Sequence, residues 1–413
     1  MQWLNRAMLR LHTENTLDRE EKIMSEWLKT SLIDIVELIG GGTPKTSKAE
    51  YWGGNINWLS VKDFNNENRY VYSTEKTITE EGLNNSSTKL LRKDDIIISA
   101  RGTVGELAMI PFPMAFNQSC YGIRAKEGID STFLYYLIKH SVRKLKAMTH
   151  GSVFDTITRD TFANIDVAIP DIEMQQRVAK MLANIDDKVE NNQRINNNLE
   201  QQAQAVYNKM FSEVNSEPVE LSSIIDVRDG THDSPKVQTT GYYLITSKHL
   251  LSFGVDKASA NHISKVDFDK INERSLVETK DILMSMIGTI GLISYIPYEA
   301  IDFAIKNVAL FKTSHTPELA YYFLCYLKSE KTLQHIEKCL AGSTQKYISL
   351  GELRKMPIYT PTTDEIREFN CLVKPMFEEI VSRTYENTLL AEMRDTLLPK
   401  LMSGELDVSD IDL

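Results

Sequence analysis

A long internal repeat is the feature of this 413-residue sequence that most constrains its fold. The stretch DDIIISARGTVGELAMIP at 94–111 matches KDILMSMIGTIGLISYIP at 280–297, and GSVFDTITRDTFANIDVAIP at 151–170 matches GSTQKYISLGELRKMPIYTP at 342–361. The period is about 190 residues, far longer than the period of a solenoid. The repeat therefore predicts a duplicated globular domain rather than a stack of short units.

Shorter stretches extend the alignment and show the same local pattern in both halves. WLSVKDF at 58–64 faces LITSKHL at 244–250, and the opening GGTP faces DGTHDSP at 229–235. Apolar runs of strand length, such as IIIS and ILMSMI, lead into GT(V/I)G turns. Because glycine adopts positive φ without strain, we expect these turns to connect neighbouring strands.

One amphipathic helix is predicted in each half. The first covers about 131–148, with Leu134, Leu137, Ile138, Val142 and Leu145 on one face. The second covers about 317–339 as a single helix, with Thr316 as N-cap and Pro317 at N1. The other faces of the first helix carry Lys139, Arg143, Lys144 and Lys146, which form either a solvated face or a phosphate contact.

Each half then ends in a proline, a capping residue and a long helix. The first helix is predicted from Asp171 to about Phe211, and the second from a capping box of Thr362 and Glu365 to about Leu401. Apolar positions recur in steps of four and three along both helices, which is a heptad seam. A narrow seam on a helix of roughly 40 residues, about 60 Å long, favours helix pairing.

The predicted fold class is therefore α+β. Two similar mixed α/β domains are separated by two long α-helices that form an antiparallel coiled coil with pseudo-twofold symmetry. The predicted boundaries are an N-terminal extension at 1–24, a first domain at 25–170, a central helix at 171–215, a second domain at 216–361, and a C-terminal helix and tail at 362–413.

Asn196 and Asn387 occupy the same seam position in the two long helices. A buried asparagine in a seam costs stability but fixes the register, so we expect a coiled-coil register role. In an antiparallel pair the two asparagines would come close together. The alternative is two polar residues tolerated at a wet layer of the seam.

Composition and charge set the limits on function classes. The net charge of −10 argues weakly against nucleic acid binding, but acidic residues are concentrated in 362–413, so each domain could still display a local basic face. Four widely spaced cysteines without a CxxC motif suit reduced thiols in a cytoplasm. No apolar run is long enough to span a membrane, and residues 1–22 lack the apolar core of a secretion signal.

Motifs that carry chemistry are scarce. The glycine-rich stretch GGGTPKTSKAEYWGG at 40–54 is not a P-loop, because Pro44 precedes Lys45 and has no N–H to donate to a phosphate. The histidines show no HExxH spacing. Glu278 and Lys280 could be the tail of a nuclease ExK motif, with Asp267 or Asp269 as a metal partner. A self-sufficient nuclease is thus one alternative, and a coiled-coil scaffold without a DNA role is another.

Three stretches together resemble one protein family. GGTPKTSKAEYWGGNINWLSVKDF resembles the opening of a target-recognition domain in specificity subunits of type I restriction–modification systems. IPDIEMQQRVAKMLANID resembles the central helix of those subunits, and LLAEMRDTLLPKLMSGELDV resembles their C-terminal signature. The resemblance runs from about residue 26 to the end. The second half departs from it, with DGTHDSP at its opening and no tryptophan.

The resemblance implies a DNA-recognition subunit without catalytic activity of its own. Each domain would read one half of a bipartite double-stranded DNA target, and the helices would set the spacing. The helices would also dock two modification methyltransferase subunits and, through them, the restriction and translocase subunits. S-adenosylmethionine, ATP and magnesium would then be bound by those partners. The acidic C-terminal stretch is either a docking surface or a solvated tail.

Candidate DNA contacts follow from loop position, polarity and the repeat, since arginine and lysine suit guanine and phosphate. In the first domain they are Lys45, Thr46, Lys48, Arg101, Lys146 and Ser152; in the second they are His232, Lys236, Lys248, Lys306 and Lys346. Each of them has the alternative of being an ordinary surface residue. We expect Tyr51, Trp52 and Trp58 to pack the first domain rather than to stack on bases.

Overall fold

The computed structural model describes residues 27–66, 68–148, 156–211, 217–342, 346–408 and 411, without the side chains of 144–148. The predicted N-terminal extension at 1–24 lies outside these residues. The described chain separates into two compact units. Unit 1 contains the residues up to Asn191 together with those from Asn387, and unit 2 contains Asn192–Glu386. We refer to residues 28–170 as head 1, in unit 1, and to residues 219–361 as head 2, in unit 2.

Head 1 is built from ten strands among its described residues. They are β1 (Leu28–Ser31), β2 (Val36–Gly40), β3 (Trp52–Leu59), β4 (Lys76–Ile78), β5 (Leu90–Leu91), β6 (Ile96–Ser99), β7 (Leu107–Met109), β8 (Met114–Phe116), β9 (Cys120–Ala125) and β10 (Asp166–Ile169). The sheet orders are β2-β9-β6-β7, β4-β3-β8-β5 and β1-β10. Pairing is antiparallel except between β3 and β8, which run parallel.

Head 2 repeats this topology. Its strands are β11 (Val219–Glu220), β12 (Val227–Asp229), β13 (Tyr242–Ile245), β14 (Asn261–Ile263), β15 (Ile282–Ser285), β16 (Ile293–Tyr295), β17 (Phe303–Ile305), β18 (Val308–Phe311) and β19 (Pro357–Ile358). The sheet orders are β12-β18-β15-β16, β14-β13-β17 and β11-β19, and the parallel pair is again β13 with β17. The predicted duplication is confirmed: among the described residues each strand of head 1 except β5 has a counterpart in head 2.

The predicted glycine turns are confirmed at equivalent hairpins. Gly102 lies between β6 and β7 with φ of 79°, and Gly288 lies between β15 and β16 with φ of 80°. The following glycines of both motifs, Gly105 and Gly291, also have positive φ, of 84° and 83°. The motif therefore encodes the same backbone shape in both heads.

The described helices include the one predicted over 131–148 and the two predicted long helices, together with shorter ones that the sequence pattern does not predict. They are α1 (Glu80–Asn84), α2 (Ser131–Met148), α3 (Arg159–Ala163), α4 (Ile172–Phe211), α5 (Lys265–Ser275), α6 (Ala320–Lys328), α7 (Glu330–Lys338), α8 (Leu350–Arg354) and α9 (Thr363–Met402). The two long helices, α4 and α9, contain 40 residues each. The capping box of α9 is formed, since Thr362 N donates to Glu365 Oε2 at 2.7 Å and Glu365 N donates to Thr362 Oγ1 at 3.3 Å.

The single helix predicted over 317–339 is wrong. The chain forms a 3₁₀ turn at Pro317–Leu319, then α6, and then α7 as a separate helix. The break occurs at Ser329, whose backbone is extended and whose hydroxyl accepts a hydrogen bond from Thr332 N. A serine N-cap starts a new helix there, whereas the side chain of Thr316 makes no capping bond.

Lys139 of α2 fits neither a solvated face nor a phosphate contact, the two alternatives that the sequence leaves open for the basic residues of this helix. Lys139 is buried, and its ammonium lies over the ring of Tyr135 at 5.7 Å from the centroid. Arg143 forms an ion pair with Asp395 of α9 at 2.8 Å. The side chains of Lys144, Leu145 and Lys146 lie outside the described residues.

In unit 1, the ends of the long helices are packed into the core of head 1. Leu182 and Ile185 of α4 and Leu397 and Leu401 of α9 share one hydrophobic cluster with the apolar face of α2. The first half of α4 therefore packs into a globular core in addition to forming a heptad seam.

In unit 2, α4 and α9 run antiparallel along a shared face. Asn192 donates to Glu386 Oε2 at 2.8 Å and accepts from Arg383 at 2.8 Å. Further along α4, Phe211 lies against Phe369 of α9, with ring centroids 5.4 Å apart. Since residue numbers rise along α4 while those of its partners fall along α9, the predicted antiparallel pairing is confirmed within this unit.

Candidate nucleic-acid interface

A polar cleft of about 430 Å³ opens in head 1 beside the GTVG hairpin turn. Arg101, Gly102 and Thr103 of the hairpin line one part of it. The remaining lining residues come from the end of β3, the turn that follows it, the start of β4 and the β8–β9 connection: Trp58, Ser60, Val61, Lys62, Asp63, Asn65, Glu75, Lys76, Asn117 and Ser119. The cleft thus joins four segments that are distant in the sequence.

The turn after β3 is held in shape by a capping box. Asp63 Oδ2 accepts from both the backbone N and the hydroxyl of Ser60, at 2.7 and 2.8 Å, and its other oxygen accepts from Glu75 N at 2.7 Å. The Asp63 carboxylate is therefore occupied by the fold. Lys62, on the same turn, is exposed, so the turn presents a cation to the cleft.

Two tryptophans connect the cleft to the opening loop of head 1. Trp58 is buried, donates from Nε1 to Gly42 O at 3.1 Å, and meets the ring of Trp52 edge-on at 5.1 Å. Trp52 donates to Lys45 O at 3.3 Å, and the ammonium of Lys76 lies 5.8 Å from a Trp52 ring centroid. Trp58 and the buried Tyr51 pack the domain as predicted, and the half-buried Trp52 packs against the cluster that contains Trp58.

Glycines bring the opening loop against the β8–β9 connection. A Cβ atom on Gly41 would lie 2.1 Å from Asn117 O, and Gly42 N donates to Phe116 O at 2.9 Å. This close backbone approach explains the glycine-rich stretch that first resembles a phosphate loop. On this loop Lys45 and Thr46 are exposed, as a contact with DNA requires.

Lys48 is less free than Lys45, Thr46 and Arg101, the other candidates of head 1 whose side chains are described. Its ammonium donates to the Tyr51 hydroxyl at 3.0 Å and lies 3.6 Å from Glu50 Oε1. The hydrogen bond to Tyr51 raises the pKa of Lys48 above its usual value. The lysine therefore stays charged, and any contact with phosphate would compete with these partners.

Head 2 places its opening loop in the same way. A Cβ on Gly230 would lie 2.2 Å from Ile305 O, and Thr231 N donates to Ile305 O at 3.0 Å. The ring of His232 then lies between Asn307 Oδ1, at 2.8 Å from Nδ1, and Asp229 Oδ2, at 3.0 Å from Nε2. His232 is thus fixed on the loop while its side chain remains 64% exposed.

The other candidates of head 2 lie on loops and turns, where Lys306 is half-buried. Lys306 donates to Ser234 Oγ at 2.5 Å, so it links the opening loop to the β17–β18 connection. Lys248 lies on the 3₁₀ turn Ser247–His249, which Thr246 and His249 close with a capping box. Lys236, Lys248 and Lys346 are all exposed.

Three residues of the head 1 cleft were missed by the sequence reasoning: Lys62, Lys76 and Asn117. Lys62 had a usable signal, because WLSVKDF and LITSKHL place it opposite Lys248, which was selected. Lys76 and Asn117 had none, since only the pairing of β3 with β4 and with β8 brings them to the cleft. Lys146 and Ser152, which were selected, lie outside the residues whose side chains are described.

The asparagines selected for helix register lie on the long helices as predicted. Asn196 donates to Thr384 Oγ1 at 3.3 Å and to Ile380 O at 3.5 Å. Asn387 is half-buried on α9. The completely buried asparagine is Asn192, four residues before Asn196. The register role of Asn196 and Asn387 stays a prediction.

The rival nuclease site receives no support. Glu278 accepts a hydrogen bond from the buried ammonium of Lys312 at 2.6 Å, which holds the pKa of Glu278 below its usual value. Lys280 is a turn residue with φ of 73°, and Asp269 pairs with Lys265 at 2.9 Å. Among the described residues, no group of three or more histidine, cysteine, aspartate or glutamate side chains could hold a metal ion.

No helix in the described part of the chain combines the length and the apolar character that a membrane span needs.

Comparison with known proteins shows which family the sequence resembles. The family model described as type I restriction modification DNA specificity domain matches residues 24–201 and 213–369. The type I restriction enzyme MjaIX specificity subunit of Methanocaldococcus jannaschii is 28% identical over 421 residues, which cover 94% of this chain and 96% of that one. The HindI specificity subunit of Haemophilus influenzae is 24% identical over 338 residues, 64% of this chain and 74% of that one.

A solved structure shows a similar fold. It is the type I restriction–modification S subunit from M. genitalium, with a TM-score of 0.50 and 16% sequence identity, over 91% of this chain and 96% of that one. At this identity the likeness concerns the fold alone.

Proposed function

Since this chain belongs to the family of type I restriction–modification DNA specificity domains, we propose that each of its heads reads one half of a bipartite double-stranded DNA target. The two heads share one topology but present different side chains. They would therefore recognise two different half-sites, in contrast to the two identical half-sites that a symmetric dimer reads.

One observation carries this proposal: equivalent loops have the same backbone and different tips. The opening loops contact the neighbouring connection through Gly42 N in head 1 and Thr231 N in head 2. The next residue is Thr43 in head 1, which bonds Gln118, and His232 in head 2, which bonds Asn307. Side chains read base edges. Two loops with the same backbone and different side chains can therefore recognise two different sequences.

Exposed lysines around these loops would supply the contacts that do not depend on sequence. Phosphate contacts fix position and orientation, and they make binding depend on salt. Lys45 and Lys62 in head 1 and Lys236 and Lys248 in head 2 are exposed and suit that role. The net charge of −10 does not oppose it, since these lysines are local to the heads.

The chemistry of the complex would reside in other subunits in the cytoplasm. Two modification methyltransferase subunits would bind the chain and use S-adenosylmethionine, and restriction and translocase subunits would join through them and use ATP and magnesium. The chain would hold no cofactor of its own and would not be an enzyme. Glu278 would then serve only the fold, through its ion pair with Lys312.

The long helices would set the spacing between the half-sites. Inserting one helical turn in register into both α4 and α9 would add roughly 5–6 Å of helix. At about 3.4 Å per base pair, the preferred gap should grow by about one or two base pairs. Methylation of a library with varied gaps measures this, and an unchanged gap would contradict the spacing role.

Reconstitution tests the proposed function directly. We expect the chain together with a type I modification subunit to methylate a bipartite target, and neither protein to do so alone. The chain should leave DNA intact when incubated with magnesium. Cutting or methylation by the isolated chain would instead favour the self-sufficient enzyme, and the absence of any DNA shift with the modification subunit present would favour a scaffold.

A further inference from the structure

The GT(V/I)G hairpins of the two heads have the same backbone hydrogen bonds but carry different side chains at their turns. In head 1, Ser99 Oγ donates to Thr103 O at 2.5 Å and accepts from Glu106 N at 2.8 Å. In head 2, Ser285 Oγ donates to Thr289 O at 2.6 Å and accepts from Leu292 N at 2.8 Å. One serine thus closes each turn with the same pair of bonds.

In both heads a β-bridge fixes the backbone of the residue that precedes the first glycine of the turn. In head 1 it is Arg101, which pairs with Thr156 as an antiparallel bridge. In head 2 it is Ile287, which pairs with Tyr347 in the same way. The residues that follow the bridge partners are tied equivalently: Ile157 N donates to Ala100 O at 3.0 Å, and Ile348 N donates to Met286 O at 3.1 Å. The two side chains therefore occupy matched positions.

We propose that Arg101 reads a guanine in the half-site bound by head 1, and that head 2 reads no guanine through the same hairpin. The proposal rests on the proposed function and adds a base and a residue to it. Ile287 is partly buried against the core of unit 2 and has no hydrogen-bond donor on its side chain. Because Ile287 stands in head 2 where Arg101 stands in head 1, head 2 cannot make this contact, although its hairpin has the same shape.

The guanidinium of Arg101 is available for a ligand. Arg101 is exposed, lines the cleft, and forms no ion pair with any described residue. Neither acidic side chain of the cleft forms an ion pair with Arg101: the Asp63 oxygens accept from Ser60 and from the backbone of Glu75, and Glu75 is exposed. The closed turn and the bridge to Thr156 fix the backbone of Arg101 before DNA binds, so that only the side chain has to be ordered in the contact.

The shape of the guanidinium favours a base edge over a phosphate at this position. Its planar fork of donors matches the O6 and N7 acceptors of guanine in the major groove, whereas a lysine ammonium is a flexible point charge. The cleft already contains two such point charges, Lys62 and Lys76. They suit the flanking phosphates, and Arg101 is left as the group with directional donors.

Selection from a duplex library randomised across both half-sites tests the proposal, with the full chain in complex with a type I modification subunit. For wild type we expect a required guanine in one half-site. Arg101→Ala should reduce the preference for that guanine over other bases by about 5- to 150-fold, because a bidentate contact contributes about that much discrimination. All other positions should keep their preferences.

Lys62→Ala is the matched control, since it removes a cation from the same cleft. It should weaken binding to all sequences alike and lower the salt slope by about one phosphate contact. If Arg101→Ala behaves like Lys62→Ala, or if every base preference survives in it, the guanine assignment is overturned. It is also overturned if the wild-type half-site altered by head 1 variants contains no guanine. A wild-type complex that selects no bipartite sequence would overturn the proposed function itself.

Discussion

Asp186 and Arg394 form a buried ion pair between α4 and α9 in unit 1. Their charged atoms lie 3.0 Å apart, and the side chains are 6% and 8% exposed. Tyr136 of α2 donates its hydroxyl to Asp186 Oδ2 at 2.6 Å. Burial and the neighbouring Asp186 carboxylate raise the pKa of Tyr136 well above its usual value, so this tyrosine remains a donor. The pair is thus satisfied by a third residue from head 1.

Removing one partner of this pair should be costly. Arg394→Met leaves Asp186 buried without its counter-charge, so we expect the free energy of unfolding to fall by about 3–5 kcal/mol. Lys374→Met is the control, because Lys374 and Glu378 form an exposed pair on the same helix, and its loss should cost less than about 1 kcal/mol. Urea unfolding measures both variants. Equal losses would show that the Asp186–Arg394 pair is not desolvated.

The Glu278 carboxylate should contribute to stability only above acid pH. The hydrogen bond from Lys312 is the main cause that holds its pKa below 4.5, the usual glutamate value. A carboxylate whose folded pKa is depressed stabilises the fold above its unfolded pKa, and loses this effect as pH falls through the lower folded value. In Glu278→Gln the free energy of unfolding should therefore fall less steeply as the pH is lowered into the acid range, which we call the acid limb.

Urea unfolding from neutral pH to below the usual glutamate pKa measures this effect of Glu278→Gln. Glu273→Gln, at an exposed position of α5, is the control and should leave the acid limb as in wild type. An acid limb that is equally steep in the Glu278 variant would show that the Lys312 contact does not stabilise the carboxylate.

At the scale of elements, alanine should be tolerated at Gly40, the last residue of β2, and should destabilise head 1 at Gly41, the next residue. A Cβ on Gly41 would meet Asn117 O at 2.1 Å, whereas a Cβ on Gly40 meets nothing within 4 Å. We expect Gly41→Ala to cost about 1–3 kcal/mol, as overpacking does, and Gly40→Ala to change stability by less than about 0.5 kcal/mol. Thermal unfolding compares them, and a tolerated Gly41→Ala would show that the loop is not packed on the β8–β9 connection.

The sequence predicts elements well where one local rule decides them. The capping residues and heptad steps place α4 and α9 within about a residue of their ends, and the GT(V/I)G glycines identify both hairpins. The helix break at Ser329 was missed because apolar residues continue at helical spacing on both sides of it. The pattern around Lys139 leaves only a solvated face or a phosphate contact as alternatives, because its burial depends on the packing around α2, which has no local signal in the sequence.

At the scale of the whole molecule, the repeat predicts the architecture but not the site. Two copies of one pattern are enough to infer two domains with one topology, because the pattern fixes the order of strands and turns. The cleft depends on which strands become neighbours, and the sequence does not state that Lys76 lies near Arg101. Charge partners are equally non-local, so Lys48 was selected without knowledge of its bonds to Tyr51 and Glu50.

Exchange of one head tests whether recognition is divided between the domains. We expect that replacing residues 25–170 with the corresponding domain of another family member changes one half of the recognised target and preserves the other. The reason is that head 2 and its core lie in a unit of their own, Asn192–Glu386. Single-molecule methylation sequencing of DNA modified by the exchanged chain reads both halves at once, and a change in both halves would contradict divided recognition.

The contacts of Asp186 determine how the exchange should be designed. An incoming domain without a hydroxyl in place of Tyr136 would leave Asp186 short of one hydrogen bond and would destabilise unit 1 by about 1–3 kcal/mol. Tyr136→Phe in the original chain reproduces that loss alone. It should lower the unfolding temperature while leaving both half-sites as they are, so that a changed target in the exchanged chain is attributed to the reading loops and not to a weakened fold.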